Sequence, residues 1–214
     1  VRPWVRAVAL PTGRAAWLPW ESVTLDTVAA AATPPLFDVS SNGLASGNTV
    51  GEAIVHGLCE VIERDAEATW RLTGHDRRVV LDTIVDGTVR ALIARITGAG
   101  ARLWLWDLTS EVGVPVFGCG LMHDPAEPSW RAVGFYQGFG CHLDPAIAMA
   151  RAITEAVQTR MTYIAGARDD FFPHDYRRAT DRAVLRRIWR RYAAPPDVSI
   201  DARDYPRPRF TDLG

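Results

Sequence analysis

The chain has 214 residues, 48% of them hydrophobic, and a formal net charge of −1. That is ordinary globular composition, long enough for one sizeable domain or two small ones, and its charge balance calls for no polyanionic partner. No apolar run approaches the roughly 20 residues of a membrane span, and no charged-then-apolar leader opens the chain.

All 24 basic residues are arginine. The absence of lysine excludes a Walker-A P-loop, whose Lys sits on the β- and γ-phosphates, and excludes Schiff-base chemistry. A nucleotide would have to be held by another device. The three cysteines, Cys59, Cys119 and Cys141, show no CxxC spacing and lie among apolar or Gly neighbours. They read as buried small residues in a cytoplasmic protein without a disulfide framework.

In chain order, Val5–Leu10 and Arg14–Pro19 read as short strands around the turn signal Pro11-Thr12-Gly13. Ser40–Asn48 is a polar Gly/Ser/Asn loop. A long helix follows from about Thr49 to Leu72, with Thr49 and Glu52 in a capping-box pattern. Ala53, Ile54, Leu58, Val61 and Ile62 recur at helical spacing as its expected core face. Arg78–Leu81 reads as a strand. Val85–Thr97 reads as a helix closed by Gly98-Ala99-Gly100.

Arg102–Asp107, Val114–Met122 and Trp130–Gln137 follow as strands. Gly138–Asp144 is expected to be a second Gly-bearing loop that feeds a second long helix, Pro145–Ala165, with Pro at an early position. Ala179–Tyr192 reads as a third, strongly basic helix. After Pro196 the chain turns polar and irregular. Strands alternating with helices predict a mixed α/β (α+β) fold. Two Gly loops, each leading into a long helix, suggest paired anion-binding helix starts.

Two helical constellations carry candidate chemistry. Glu60 and Glu63 lie at i and i+3, so their carboxylates share a face, with Arg64 beside them. A cation between them would relieve the repulsion, and magnesium prefers such hard oxygen ligands. The competing reading is a solvated face in which Glu60 pairs with Arg64. Glu155 and Gln158 repeat the spacing on the second long helix, with Arg160 available for a phosphate. There the competing reading is a simple Arg151–Glu155 pair.

The string Ser40-Ser41-Asn42-Gly43-Leu44-Ala45-Ser46-Gly47-Asn48-Thr49, with Glu52-Ala53 and His56–Asp65, resembles the ATP-binding signature of YcaO proteins. A second string runs from Gly138 to Pro145, through Thr154–Arg160, to Tyr163–Asp170. It resembles the second signature of that family, and Asp107-Leu108-Thr109 with Gly113–Val116 is of a family type. The first loop has Ala45-Ser46-Gly47 where some members have Gly-Lys-Gly, and His56 where those members have Ser. The sequence follows the Ser-Ser-Asn-Gly branch.

The resemblance implies a YcaO-type domain with a sheet and long helices around a non-P-loop ATP site. It implies ATP and Mg2+ as cofactors, with the γ-phosphoryl group passing to a backbone amide oxygen of a peptide. Azoline formation or thioamidation in modified-peptide biosynthesis would follow. Carried onto this chain, Glu60, Glu63, Glu155 and Gln158 are expected as magnesium ligands. Arg64 and Arg160 are expected at phosphates, and Ser46 and Asn48 in the nucleotide loop. No catalytic residue is assigned. The whole chain, 1–214, is expected to be a partial YcaO domain, without an N-terminal leader-binding region or the C-terminal part of the domain.

The expected partners are a ribosomal precursor peptide or protein and a TfuA-like or ThiF-like protein, with a homodimer allowed and no membrane. Two other readings compete. One is a catalytically inactive YcaO module that binds a precursor peptide. The other is nucleic-acid binding through an arginine stripe over 177–191, disfavoured by the near-zero net charge and the lack of interleaved aromatics. His142 reads as a satisfied loop histidine.

Overall fold

The computed structural model describes residues 3–10, 12–26, 36–37, 39–127, 130, 132–166 and 171–205. The chain divides into two compact units, Val1–Val61 and Ile62–Gly214.

In the first unit, strands β1 (Trp4–Ala9) and β2 (Arg14–Pro19) form an antiparallel hairpin, registered from Trp4 opposite Pro19 to Ala9 opposite Arg14. The loop between them closes with the Gly13 N–H donating to the Ala9 carbonyl at 2.8 Å. Helix α1 (Val50–Thr73) starts in this unit and ends in the second. Its start is capped as the sequence predicts: the Glu52 N–H donates to Thr49 Oγ1 at 3.2 Å. The Glu52 carboxylate reaches back one residue further than the simple motif, to the Asn48 N–H at 2.7 Å.

The second unit is built on a five-stranded sheet of order β6-β5-β4-β3-β7. Its strands are β3 (Arg77–Val79), β4 (Ala101–Asp107), β5 (Val116–His123), β6 (Tyr136–Cys141) and β7 (Val198–Ile200). All neighbours are antiparallel except β3 and β7. Strand β4 reads Leu103-Trp104-Leu105-Trp106, an unbroken apolar run, because both faces of the sheet are covered.

On one face, Leu103 and Leu105 pack with Phe117, Cys119 and Leu121 of β5 against α2 (Gly87–Gly98) and α3 (Pro145–Ala165). On the other, Trp104 and Trp106 meet the end of α1 and α5 (Arg182–Ala193). Trp106 lies 5.4 Å from Trp70 and 4.8 Å from Tyr192, and Trp104 lies 5.4 Å from Trp189. This unit is therefore a helix–sheet–helix sandwich, the mixed α/β class expected.

Several elements differ from expectation. The stretch from Gly138 to Cys141 is not a loop but the end of β6. Helix α3 lies so close to it that a Cβ at Gly138 would sit 2.5 Å from the Ala152 carbonyl oxygen. At Gly140 a Cβ would sit 2.6 Å from the Ala152 nitrogen. These glycines serve strand–helix contact and not an anion-binding loop. The strand expected from Trp130 begins only at Tyr136.

The third basic helix, expected from Ala179, starts as α5 at Arg182, because Asp181 caps it there through the N–H groups of Ala183 and Val184, and a short further helix, α4 (Pro173–Ala179), precedes it. Within the irregular tail, β7 adds a parallel edge strand. Leu58 and Val61 of α1 are exposed; the buried positions are Gly57, Cys59 and Ala66. The three cysteines are buried, and no disulfide joins them. Among the described residues, no helix is long and apolar enough to cross a membrane.

Candidate functional site

Strand β6 is an edge strand, so every second N–H lacks a strand partner. The His142 N–H donates to Pro115 on the β5 side. By alternation, the N–H groups of Phe139 and Cys141 point outward. Two helices cover this edge from opposite faces. Helix α1 packs its end on the Phe139 side, with Trp70 6.2 Å from that ring. Helix α3 packs on the Gly138 and Gly140 side. Each sends a carboxylate to the edge: Glu63 accepts from the Cys141 N–H, and Glu155 from the Phe139 N–H.

The two carboxylates are largely withdrawn from water and repel each other. Burial first, then the Glu155 charge, pushes Glu63 up to about 7, against the pull of Arg64 and the Cys141 N–H. Burial likewise raises Glu155 above its ordinary value. Hard oxygens in a partly dry, mutually repelling pair suit a divalent cation. Among the described residues, no group of three or more His, Cys, Asp or Glu side chains could hold a metal ion. Magnesium commonly takes one or two protein carboxylates and completes its shell with water and substrate phosphates.

Arg64 and a further carboxylate, Glu67, stand beside this pair. Arg64 Nη1 lies 3.9 Å from Glu63 Oε1 and donates to Glu67 Oε2 at 3.1 Å. Glu67 also accepts from Arg71 Nε at 2.9 Å, and Arg71 stacks 5.4 Å over the Phe139 ring. Glu67 and Arg71 were not singled out in the sequence. The signal was present in the i, i+4 ladder Glu63, Glu67, Arg71 on one helix face.

The simple pairings set against a functional reading take other partners here. Arg64 reaches Glu67. Arg151 donates from Nη1 to the Cys141 carbonyl at 3.2 Å, and so braces α3 on β6.

The remaining expected site residues are placed differently. Gln158 is exposed on α3. Arg160 lies away from the carboxylate cavity, with Nη2 3.3 Å from His123 Nε2, and lines a separate cavity with His123, Asp124 and Glu127. Glu60 is half-buried, three residues before Glu63 on the part of α1 that belongs to the first unit. Ser46 and Asn48 are exposed there; the Ser46 carbonyl lies 3.4 Å from His56 Nδ1. His142 is satisfied as expected: its Nδ1 accepts from the Asp144 N–H at 2.9 Å, and burial lowers its pKa.

A family profile described as YcaO cyclodehydratase, ATP- and Mg2+-binding, matches residues 1–213. The chain belongs to the YcaO family. ATP and Mg2+ are thus the cofactors of its family, as the resemblance implied. An uncharacterized protein in the tfuA 3′ region of Rhizobium leguminosarum bv. trifolii is 41% identical over 194 residues, covering 87% of this chain and 45% of that relative.

A heterocyclase solved in complex with substrate and cofactor has the same fold at a TM-score of 0.73 and 26% identity, covering 98% of this chain and 27% of that one. The YcaO protein of Methanopyrus kandleri, solved with AMPPCP and Mg2+, shares the fold at a TM-score of 0.69 and 24% identity, over 94% of this chain and 50% of that one. The chain spans less than half the length of the curated YcaO relatives it matches.

Proposed function

We propose that this chain supplies the magnesium–nucleotide part of a YcaO enzyme that activates a backbone amide of a peptide at the expense of ATP. The observation that carries the reading is the Glu63–Glu155 pair, held at the edge of β6 by the Cys141 and Phe139 N–H groups. Glu63 and Glu155 would hold magnesium, and Arg64 would balance the charge gathered there. Gln158, on the same helix as Glu155, would add a further ligand. Magnesium-bound ATP supplies a phosphoryl group that turns the amide oxygen into a leaving group.

In azoline formation a Cys, Ser or Thr side chain of the peptide adds to the amide carbon. The amide oxygen leaves as phosphate, with ADP as the other product. The chain's own part is positioning and electrostatics, the usual protein contribution to phosphoryl transfer. Similarity to a heterocyclase solved with substrate supports this outcome. Similarity to a protein of a tfuA 3′ region supports thioamidation with a TfuA-like partner.

The deciding experiment is calorimetry of the full-length protein with ATP, with and without Mg2+, followed by ATPase assay with a cognate peptide. Magnesium-dependent binding and peptide-stimulated turnover are expected. Binding without turnover would favour the inactive peptide-binding module, and absence of binding would overturn the reading.

A further inference from the structure

The cavity beside Glu155 has a second wall. Its inner side is formed by β6, α3 and the end of α1, which bring Glu155, Arg64, Glu67 and Arg71. Its outer side is formed by α4 and α5, which contribute Arg178 and Arg187. The volume is about 610 Å3, within the range of small-molecule sites.

The charges on these walls are not balanced alike. Arg64 and Arg71 are both tied to Glu67. Asp175 is engaged by the Phe172 N–H and by His174. Among the described residues, no ion pair engages Arg178 or Arg187. The arginine stripe legible in the sequence is therefore split in space. Arg182 and Arg186 turn away onto the Trp130 ring, at 5.1 and 5.7 Å. Arg178 and Arg187 face the cavity with Val184 and Ile188.

Two guanidinium groups with no ion-pair partner among the described residues, across a cavity from the half-buried Glu155, whose neighbour Glu63 lies outside the lining, suit a ligand that carries negative charge next to a cation. A magnesium-bound polyphosphate has that chemistry. Magnesium would screen the phosphates from Glu63 and Glu155, and the arginines would meet the remaining oxygens with forked, bidentate hydrogen bonds. We propose that Arg178 and Arg187 bind the phosphate chain of the nucleotide, the role a lysine-free chain cannot give to a P-loop. This rests on the reading of Glu63 and Glu155 as the magnesium site.

The test is calorimetry of the full-length protein with Mg·ATP and with AMP. The variants are Arg178→Ala, Arg187→Ala, the double variant and Arg186→Ala, with circular dichroism melts to confirm the fold. The double variant should bind Mg·ATP at least tenfold more weakly and AMP within about twofold of wild type. Arg186→Ala removes the same charge outside the cavity and should leave both unchanged. Wild-type binding of Mg·ATP with an unchanged double variant would overturn the inference and leave the magnesium site standing. So would an equal loss of ATP and AMP, which would mean that the arginines only shape the pocket. Wild type that binds no Mg·ATP would overturn the magnesium site, and this inference with it.

Discussion

Glu63 and Glu155 come from helices on opposite faces of one sheet, and each accepts a hydrogen bond from the same edge strand, from Cys141 and Phe139 respectively. The strand needs acceptors for its outward N–H groups. The carboxylates need donors to offset their burial. Each requirement meets the other, and two repelling carboxylates are held at one strand edge, with Glu155 on the wall of a cavity.

That pair predicts a pH dependence. Glu63 rises from an ordinary 4.5 to about 7 in the metal-free fold. The folded state therefore holds this proton more tightly than the unfolded one, and ionisation favours unfolding. The stabilisation is complete below about 4.5 and is lost as pH climbs through about 7. In chelator, the melting temperature should fall between pH 5 and pH 8, and Glu63→Gln should remove most of that fall. Equal slopes in the two proteins would contradict the placement of Glu63.

Glu63→Gln should also abolish ATP turnover while the fold persists. The amide keeps the shape but loses the charge that magnesium prefers. The loss in kcat should exceed the roughly 10–100-fold typical of changes just outside a metal's own ligands. Steady-state ATPase with peptide, beside melts with and without Mg·ATP, decides this. A variant that melts and turns over like wild type would remove Glu63 from the metal site.

Gly138→Ala should be destabilising, because its Cβ would lie 2.5 Å from the Ala152 carbonyl oxygen. Forcing α3 off β6 should cost about 1–3 kcal/mol, as overpacking does. Gly98→Ala is the contrast. It ends α2, and its Cβ would have open space around it, so stability should rise by about 0.4–1 kcal/mol. Urea denaturation of both variants gives the comparison.

The cysteines should be inert in the native protein. All three are buried, and burial holds the Cys119 thiol far above its ordinary pKa. A thiol reagent at neutral pH should label none of them before unfolding and all three in denaturant. Rapid labelling of the native protein would contradict the packing.

The sequence alone determined what depends on neighbours along the chain. The α1 cap at Thr49 and Glu52, the bounds of α3, the mixed fold class and the shared face of Glu60 and Glu63 are consequences of short-range hydrogen bonding and helical period. The family signature was legible for the same reason, since it is a matter of residue order. Tertiary structure alone decided the rest. Gly138 and Gly140 looked like loop residues because glycine marks both turns and close packing, and only the approach of α3 tells the two apart. Leu58 and Val61 looked like core because the period was right, yet burial depends on which layer lies opposite, and both remain exposed. Arg160 and Glu155 share a helix but open onto different cavities. Arg178 and Arg187 join Glu155 in one cavity from elements that follow α3. No spacing rule reaches such pairs, because the sheet between the helices sets the distance across which their charges meet.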